Sequence, residues 1–246
     1  MSDEIRCSGF SVVRRAEAQS FLSAKSHAEW HSFAASWDDL GEDTYMADGR
    51  RYRRRRHAVF LLCGGMLKRL PHQPHYQSRD YNRLNGGVQR WFDPIDEAVA
   101  RSAVLGDLVA ACAQLANGLE PRGERARRIE VHQFRIASNA DEEGCPTPEG
   151  MHRDGVDWVC VVLIKRVNVV RGETTISDIS GNAVGAFTLI ETLDMAFLDD
   201  CRVAHGVTPI RRLDPDWPGF RDVLVVTFAA HKGATILNEG ADERRA

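Results

Sequence analysis

The sequence predicts an α+β protein in which helices come first and a β-rich body follows. Three observations carry that expectation. Apolar residues between Arg15 and Leu40 recur near helical spacing, and residues 93–119 repeat the pattern behind a good helix start. After residue 121, short β-like runs alternate with Gly, Asn, Asp and Pro turns. Helices followed by many short strands pack as a sandwich or barrel flanked by a helical layer.

In chain order, Phe21, Leu22, Trp30, Phe33 and Trp37 suggest one or two amphipathic helices. The run "DGRRYRRRRHAVFLL" turns at Gly49 and continues as a strand into Val59, Phe60 and Leu61. Its arginines between Arg50 and Arg56 alternate, so most face solvent while one or two point into a pocket. With no RNP motif or aromatic platform, they do not indicate nucleic acid. "RLPHQPHYQSRDYNRLNGGVQRWF" has no period and is rich in Pro, Gly and Asn, the signature of a long loop lining a site. Asp93 as N-cap and Pro94 at the first position then open a helix with a break near Gly106. The strands follow as "RIEVHQFRIA", "VDWVCVVLIKRVNVV", "ETTISDI", "AVGAFTLIE", "MAFLDDCRVAHGVTPI" and "RDVLVVTFAA"; the tail "NEGADERRA" is polar and frayed.

With 246 residues, 43% of them hydrophobic, and a formal net charge of -3, the chain has room for one large core and no global pull toward nucleic acid or anionic membrane. The expected organisation is a single domain over 1–246, helical over about 1–120 and β-rich over about 121–235. The start carries no basic-then-apolar signal and no apolar run reaches the roughly 20 residues of a membrane span, so a cytoplasmic protein is expected. Six scattered cysteines without a C-x-x-C pair are read as structural thiols.

Chemistry concentrates in "PTPEGMHRDGVDW". If residues 151–155 enter the following strand, His152 and Asp154 share a face and Arg153 points away. Two histidines and one carboxylate on one face of an octahedron hold iron(II) in oxygenases, and His205, at the end of a later strand, supplies the second imidazole. Arg221 opens the last strong strand, where a guanidinium clamps a dicarboxylate through two parallel hydrogen bonds. His132 and His231 lack such support and are read as structural. Zinc-dependent hydrolysis and a noncatalytic jelly-roll metal-binding module are the alternatives that the same residues leave open.

The stretches "HQFRIASNADEEGCPTPEGMHRDGVDWVCVVLIKRVNVVRGETTI", "FLDDCRVAHGVTPI" and "HYQSRDYNRLNGGVQRWFDPI" resemble the iron(II)/2-oxoglutarate-dependent dioxygenase family that contains bacterial L-isoleucine 4-hydroxylase. The resemblance spans roughly residues 45–230. It implies a double-stranded β-helix (jelly-roll, cupin-like) core and hydroxylation of a free aliphatic L-amino acid, with release of succinate and carbon dioxide. It places the iron ligands on His152, Asp154 and His205 and the 2-oxoglutarate anchor on Arg221, with dioxygen as the oxidant. Where a paired glycine is expected before "ET", this chain has Arg171 and Gly172. For the substrate, an arginine or amides and an acid around an apolar slot are required. Arg90, Gln133 and Trp158 are the expected contacts, Arg90 first, with Gln77 and Arg135 nearby in the pattern. The expected partner is a small-molecule substrate, without nucleic acid or membrane; a homo-oligomer stays open.

Overall fold

The computed structural model of the protein describes residues 1–120, 125–139 and 142–231. The N-terminal half runs α1 (Ser2–Ser8), β1 (Phe10–Val13), α2 (Arg15–Ala18), α3 (Ala24–Ala35), β2 (Arg53–Cys63), β3 (Met66–Arg69), β4 (His75–Tyr76), β5 (Gln89–Arg90), α4 (Glu97–Ala100) and α5 (Ala103–Leu119). The second half is all strand. Its elements are β6 (Arg127–Ser138), β7 (Trp158–Val167), β8 (Val169–Arg171), β9 (Thr174–Asp178), β10 (Ala183–Phe187), β11 (Met195–Asp199), β12 (Val203–Val207), β13 (Ile210–Arg212) and β14 (Gly219–Ala230).

Seven strands form one antiparallel sheet in the order β1-β11-β7-β14-β6-β2-β3, and β10-β9-β12 and β13-β8 form two smaller ones. The long strands alternate, apart from a bulge at Ile164 of β7 opposite Asp222 and Val223. On β7, β14, β6 and β2 one parity, including Cys160, Val162, Leu224, Val226, Val131 and Phe60, packs under the helices in the largest core cluster. The other parity packs toward the small sheets, where Val159, Ala196 and Leu198 meet Ile176 and Val203. A jelly-roll sandwich under a helical layer results, as the strand pattern predicts. The expected helical part is less helical than its composition implies, because β1, β2 and β3 leave it to join the large sheet.

Two local expectations are corrected. Asp93 and Pro94 do not start a helix: the His57 amide donates to the Asp93 carbonyl (2.9 Å) and the Ile95 amide to the His57 carbonyl (3.2 Å), which holds this segment beside β2. The helical break falls at residues 101–102 rather than near Gly106, since the Ser102 hydroxyl accepts from the Leu105 amide and caps α5. At the predicted glycine pair, Arg171 itself takes φ 64 and Gly172 φ 78, so Arg171 adopts the left-handed turn that a glycine makes at lower cost. The polar tail, residues 238–246, lies outside the described residues. No helix among the described residues is long and apolar enough to cross a membrane.

Trp37 ties the helical layer to the sheet. It is fully buried, and its indole Nε1 donates to the carbonyls of Phe134 on β6 (3.1 Å) and Val223 on β14 (3.3 Å). Trp37→Ala is expected to destabilise the protein by about 3–5 kcal/mol, the usual cost of emptying a large aromatic site. A lower denaturation midpoint at unchanged slope is the measurement that checks it.

Candidate metal centre and its cavity

The inner face of the large sheet floors a cavity of about 300 Å³ that reaches from His205 to His75. At one end stand His152, Asp154 and His205. Their ligand atoms lie within 4.8 Å of one another: His152 Nε2 is 3.6 Å from Asp154 Oδ1, and His205 Nε2 is 4.0 Å from Asp154 Oδ2. The imidazole centroids are 4.5 Å apart.

What brings them together differs from the expectation of a shared strand face. β7 begins only at Trp158, so His152 and Asp154 sit in the loop before it. His152 instead pairs with His205 through reciprocal main-chain bonds, His152 N to His205 O (3.0 Å) and His205 N to His152 O (2.9 Å). Asp200 then fixes the rest of the loop by accepting the amides of Asp154 (2.9 Å), Gly155 (2.8 Å) and Val156 (3.1 Å). Gly155 has φ 80, and a Cβ there would meet the Tyr81 ring at 2.6 Å, so only glycine permits this close approach. Arg153 points away from the cluster, as expected, and lies over the Tyr81 ring.

The donor set suits a cation. His152 Nδ1 is 3.1 Å from the Gly150 carbonyl, which can only accept, so Nδ1 carries a proton and Nε2, facing Asp154, is the nitrogen a cation would take by displacing its proton. Gln77 Nε2 donates to Asp154 Oδ1 (3.3 Å), and Asn82 holds Gln77 in turn through its Oε1 (3.1 Å). Burial disfavours the His152 cation, but the hydrogen bond and charge of Asp154 prevail and lift its pKa to about 9. At His205 burial and the neighbouring His152 push the pKa down to about 4. Burial raises the Asp154 carboxyl, yet both histidines hold it below the usual range. Two neutral-capable imidazoles and a carboxylate are the donors that non-haem iron(II) takes.

Arg221 lines the same cavity, as does Thr174. It is 3% exposed, and its Nε has no hydrogen-bond partner among the described residues. Burial and the nearby Arg166 lower its pKa to about 10, so it stays charged at neutral pH. Arg221 does not pair with its neighbour Asp222, which lies on the opposite parity and takes Arg135 in a two-pronged pair at 2.7 Å each.

The other end is charged. Arg53 and Arg55 of β2 turn inward, as alternation allows, while Arg54 faces solvent and Arg56 binds Asp39 and Asp96. Asp43 neutralises the inward pair, at 2.7 Å from Arg53 and 3.7 Å from Arg55, and Arg55 lies over the rings of Phe92 (3.7 Å) and Phe134 (4.3 Å). Glu130 accepts from His57 Nε2 (3.0 Å), His75 Nδ1 (2.8 Å) and Arg128 (3.0 Å). Burial alone would raise Glu130, but these hydrogen bonds hold it far below the carboxylate range. His132, read from the sequence as structural, closes this cluster and lines the cavity. Arg55 Nη2, which can only donate, is 2.7 Å from His132 Nδ1; Nε2 therefore carries the proton, which withholds a lone pair from any cation there. His231 lies at the exposed end of β14, outside the cavity.

Of the expected substrate contacts, Arg90 lines the cavity, directly opposite His75 in the β4–β5 ribbon. Gln133 and Trp158 do not, and both are corrected for one reason: they have the parity that faces the helices. Gln133 Nε2 donates to the Ser36 hydroxyl (2.8 Å), and Trp158 donates to Glu120 (2.7 Å) and stacks on Phe197. Arg135 shares the parity of Gln133. Sequence reasoning missed Asp200, Glu149, Arg53 and Arg55 as individuals; the acid pair "DD" and the basic run were the available signals.

A model of the 2OG-Fe dioxygenase family matches residues 34–227. The chain belongs to the 2OG-Fe dioxygenase family. Family members depend on iron(II), 2-oxoglutarate and dioxygen. Similar proteins include the 3(1)-hydroxy-L-isoleucine 4-dioxygenase of Pantoea ananatis, 24% identical over 164 residues, 66% of each chain. Another is the L-isoleucine-4-hydroxylase of Bacillus thuringiensis, 25% identical over 159 residues, 63% of this chain and 65% of that one. In both cases this chain spans just under two thirds of the relative's length. Among solved structures, a bsmA homolog from Methylobium petroleophilum PM1 is 36% identical with a TM-score of 0.83, over 93% of this chain and 91% of that one. IDO from Bacillus thuringiensis shares the fold, with a TM-score of 0.77 at 18% identity over 94% and 98%.

Asp43 carries a prediction of its own. Asp43→Ala strands two buried guanidinium groups and is expected to cost about 3–5 kcal/mol in chemical denaturation. Burial raises the Asp43 carboxyl but Arg53 and Arg55 bring it below its ordinary 3.8. A depressed carboxyl stabilises the fold above its unfolded pKa, so this contribution is fully present at neutral pH and lost as acid titrates the lowered value. The Ala variant should therefore show a shallower loss of stability between pH 5 and the acid limit than the parent.

Proposed function

We propose that the protein hydroxylates a C–H bond of a free aliphatic L-amino acid, with His152, Asp154 and His205 holding iron(II) and Arg221 anchoring 2-oxoglutarate. The observation that carries this reading is that a partly buried two-histidine, one-carboxylate set and a buried arginine whose Nε has no partner among the described residues line one cavity. The chemistry that iron(II) and 2-oxoglutarate supply when bound is the conversion of C–H and dioxygen to C–OH, with 2-oxoglutarate leaving as succinate and carbon dioxide.

The chain's own residues do the placing. The Gly150 carbonyl holds His152 Nδ1 and so turns Nε2 inward, and Asp200 and Gln77 hold the main chain and side chain of Asp154. Arg221 offers a charged fork to the far carboxylate of the cosubstrate. Val161, Val223, Val225, Ala196 and Leu198 give an apolar slot that suits a branched hydrocarbon and excludes water. Arg90, buried and with Nε and Nη2 free of partners among the described residues, suits the substrate carboxylate. Names of the curated relatives point to isoleucine and a hydroxyisoleucine.

The test is a succinate-release screen over the common L-amino acids with iron(II), 2-oxoglutarate and air, products identified by the mass of one added oxygen. An aliphatic amino acid is expected to score, and His152→Ala and Asp154→Ala to abolish the signal. Arg221→Gln should raise the KM for 2-oxoglutarate about 10- to 100-fold, the worth of a charged hydrogen bond. Full turnover in either ligand variant, or turnover without dioxygen, would overturn the reading.

A further inference from the structure

Two oppositely charged side chains in the cavity keep buried atoms for which the fold supplies no hydrogen bond. Arg90 is 2% exposed, and its Nε and Nη2 have no partner among the described residues. Glu149, in the loop before His152, has a side chain only 10% exposed, and its Oε2 is likewise buried without a partner among the described residues. Both line the cavity, and the Glu149 charge partly offsets the loss of solvation that lowers the Arg90 pKa. The other charges at this end are engaged: Arg53 and Arg55 with Asp43, and Arg128, His57 and His75 with Glu130. A buried charge with no hydrogen bond is costly enough that a protein retains it only where something else meets it.

Resting on the free-amino-acid reading, we propose that Glu149 accepts the substrate's α-ammonium while Arg90 holds its α-carboxylate. A neutral amide or hydroxyl would fill the hydrogen bonds but leave both charges uncompensated, whereas a zwitterion neutralises each end. Glu149 Oε1 lies 3.5 Å from His152 Nε2, so an ammonium on Oε2 sits beside the metal centre and the side chain extends into the apolar slot. Glu149 is thereby the residue that distinguishes an amino acid from the same acid without its amino group.

The experiment is anaerobic calorimetry on the full chain loaded with iron(II) and 2-oxoglutarate. It is titrated first with the common L-amino acids, then with the best binder and its des-amino acid, for example L-isoleucine and 3-methylpentanoate. The parent is expected to bind the amino acid about 10- to 100-fold more tightly, the worth of a charged hydrogen bond. Glu149→Gln, nearly the same shape, should lose affinity by a similar factor and bring the ratio to within a few-fold, with iron(II) affinity retained. A Glu149→Gln variant that keeps the full ratio overturns the inference and leaves the amino-acid reading standing. So does one that loses iron(II) instead, which would make Glu149 a metal residue. Equal binding of the two acids by the parent overturns it without any variant, and a parent that binds no amino acid removes both readings.

Discussion

Two main-chain hydrogen bonds between His152 and His205 are the constraint on which the site depends. They join the loop before β7, in the large sheet, to β12, in the small one, and so lock the two layers where the imidazoles meet. Because main-chain atoms make them, they bring the two Cα atoms face to face before any side chain is considered. Asp154 follows only because Asp200 takes three successive amides and turns the chain at Gly155. Remove those anchors and the three donors become ordinary loop and strand residues.

Much of the fold was legible because period and punctuation agreed. The apolar runs after residue 121 became strands nearly where they were read, and the loop "RLPHQPHYQSRDYNRLNGGVQRWF" kept its irregular path apart from the short β4–β5 ribbon. The site was legible through the order H-x-D, His, Arg, although the reason given for H-x-D was a strand face and the structure uses a loop. Trp158 and Gln133 were misplaced because period 2 states which residues share a face but not which face meets the cavity. That choice is made by the helices, whose packing under β6 and β7 no local pattern encodes. Glu149 and Asp200 were invisible for a related reason: an acid in a loop reads as solvated until the loop's path buries it.

The cavity floor grades from charged to apolar across neighbouring strands. β2 and β6 contribute Arg53, Arg55, Glu130 and His132, whereas β14, β7 and β11 contribute Val223, Val225, Val161 and Leu198. The sheet tolerates such charge density because nearly every ion there has a partner, and Arg55 also spreads its charge over two aromatic faces. What looks like a surface basic run in the sequence is thus half interior.

The ribbon segment between Leu70 and Phe92 lies outside the main sheet, yet it presents His75, Gln77, Asn82 and Arg90 to the cavity. Irregular segments on a rigid frame drift readily, which would let substrate choice change while the barrel stays constant. Here Gln77 also grips Asp154 and is itself steered by Asn82, whose Oδ1 in turn receives the Asn85 amide. Anyone transplanting this segment between relatives would have to carry that amide relay intact, because the same stretch that presents Arg90 to the cavity also steadies Asp154.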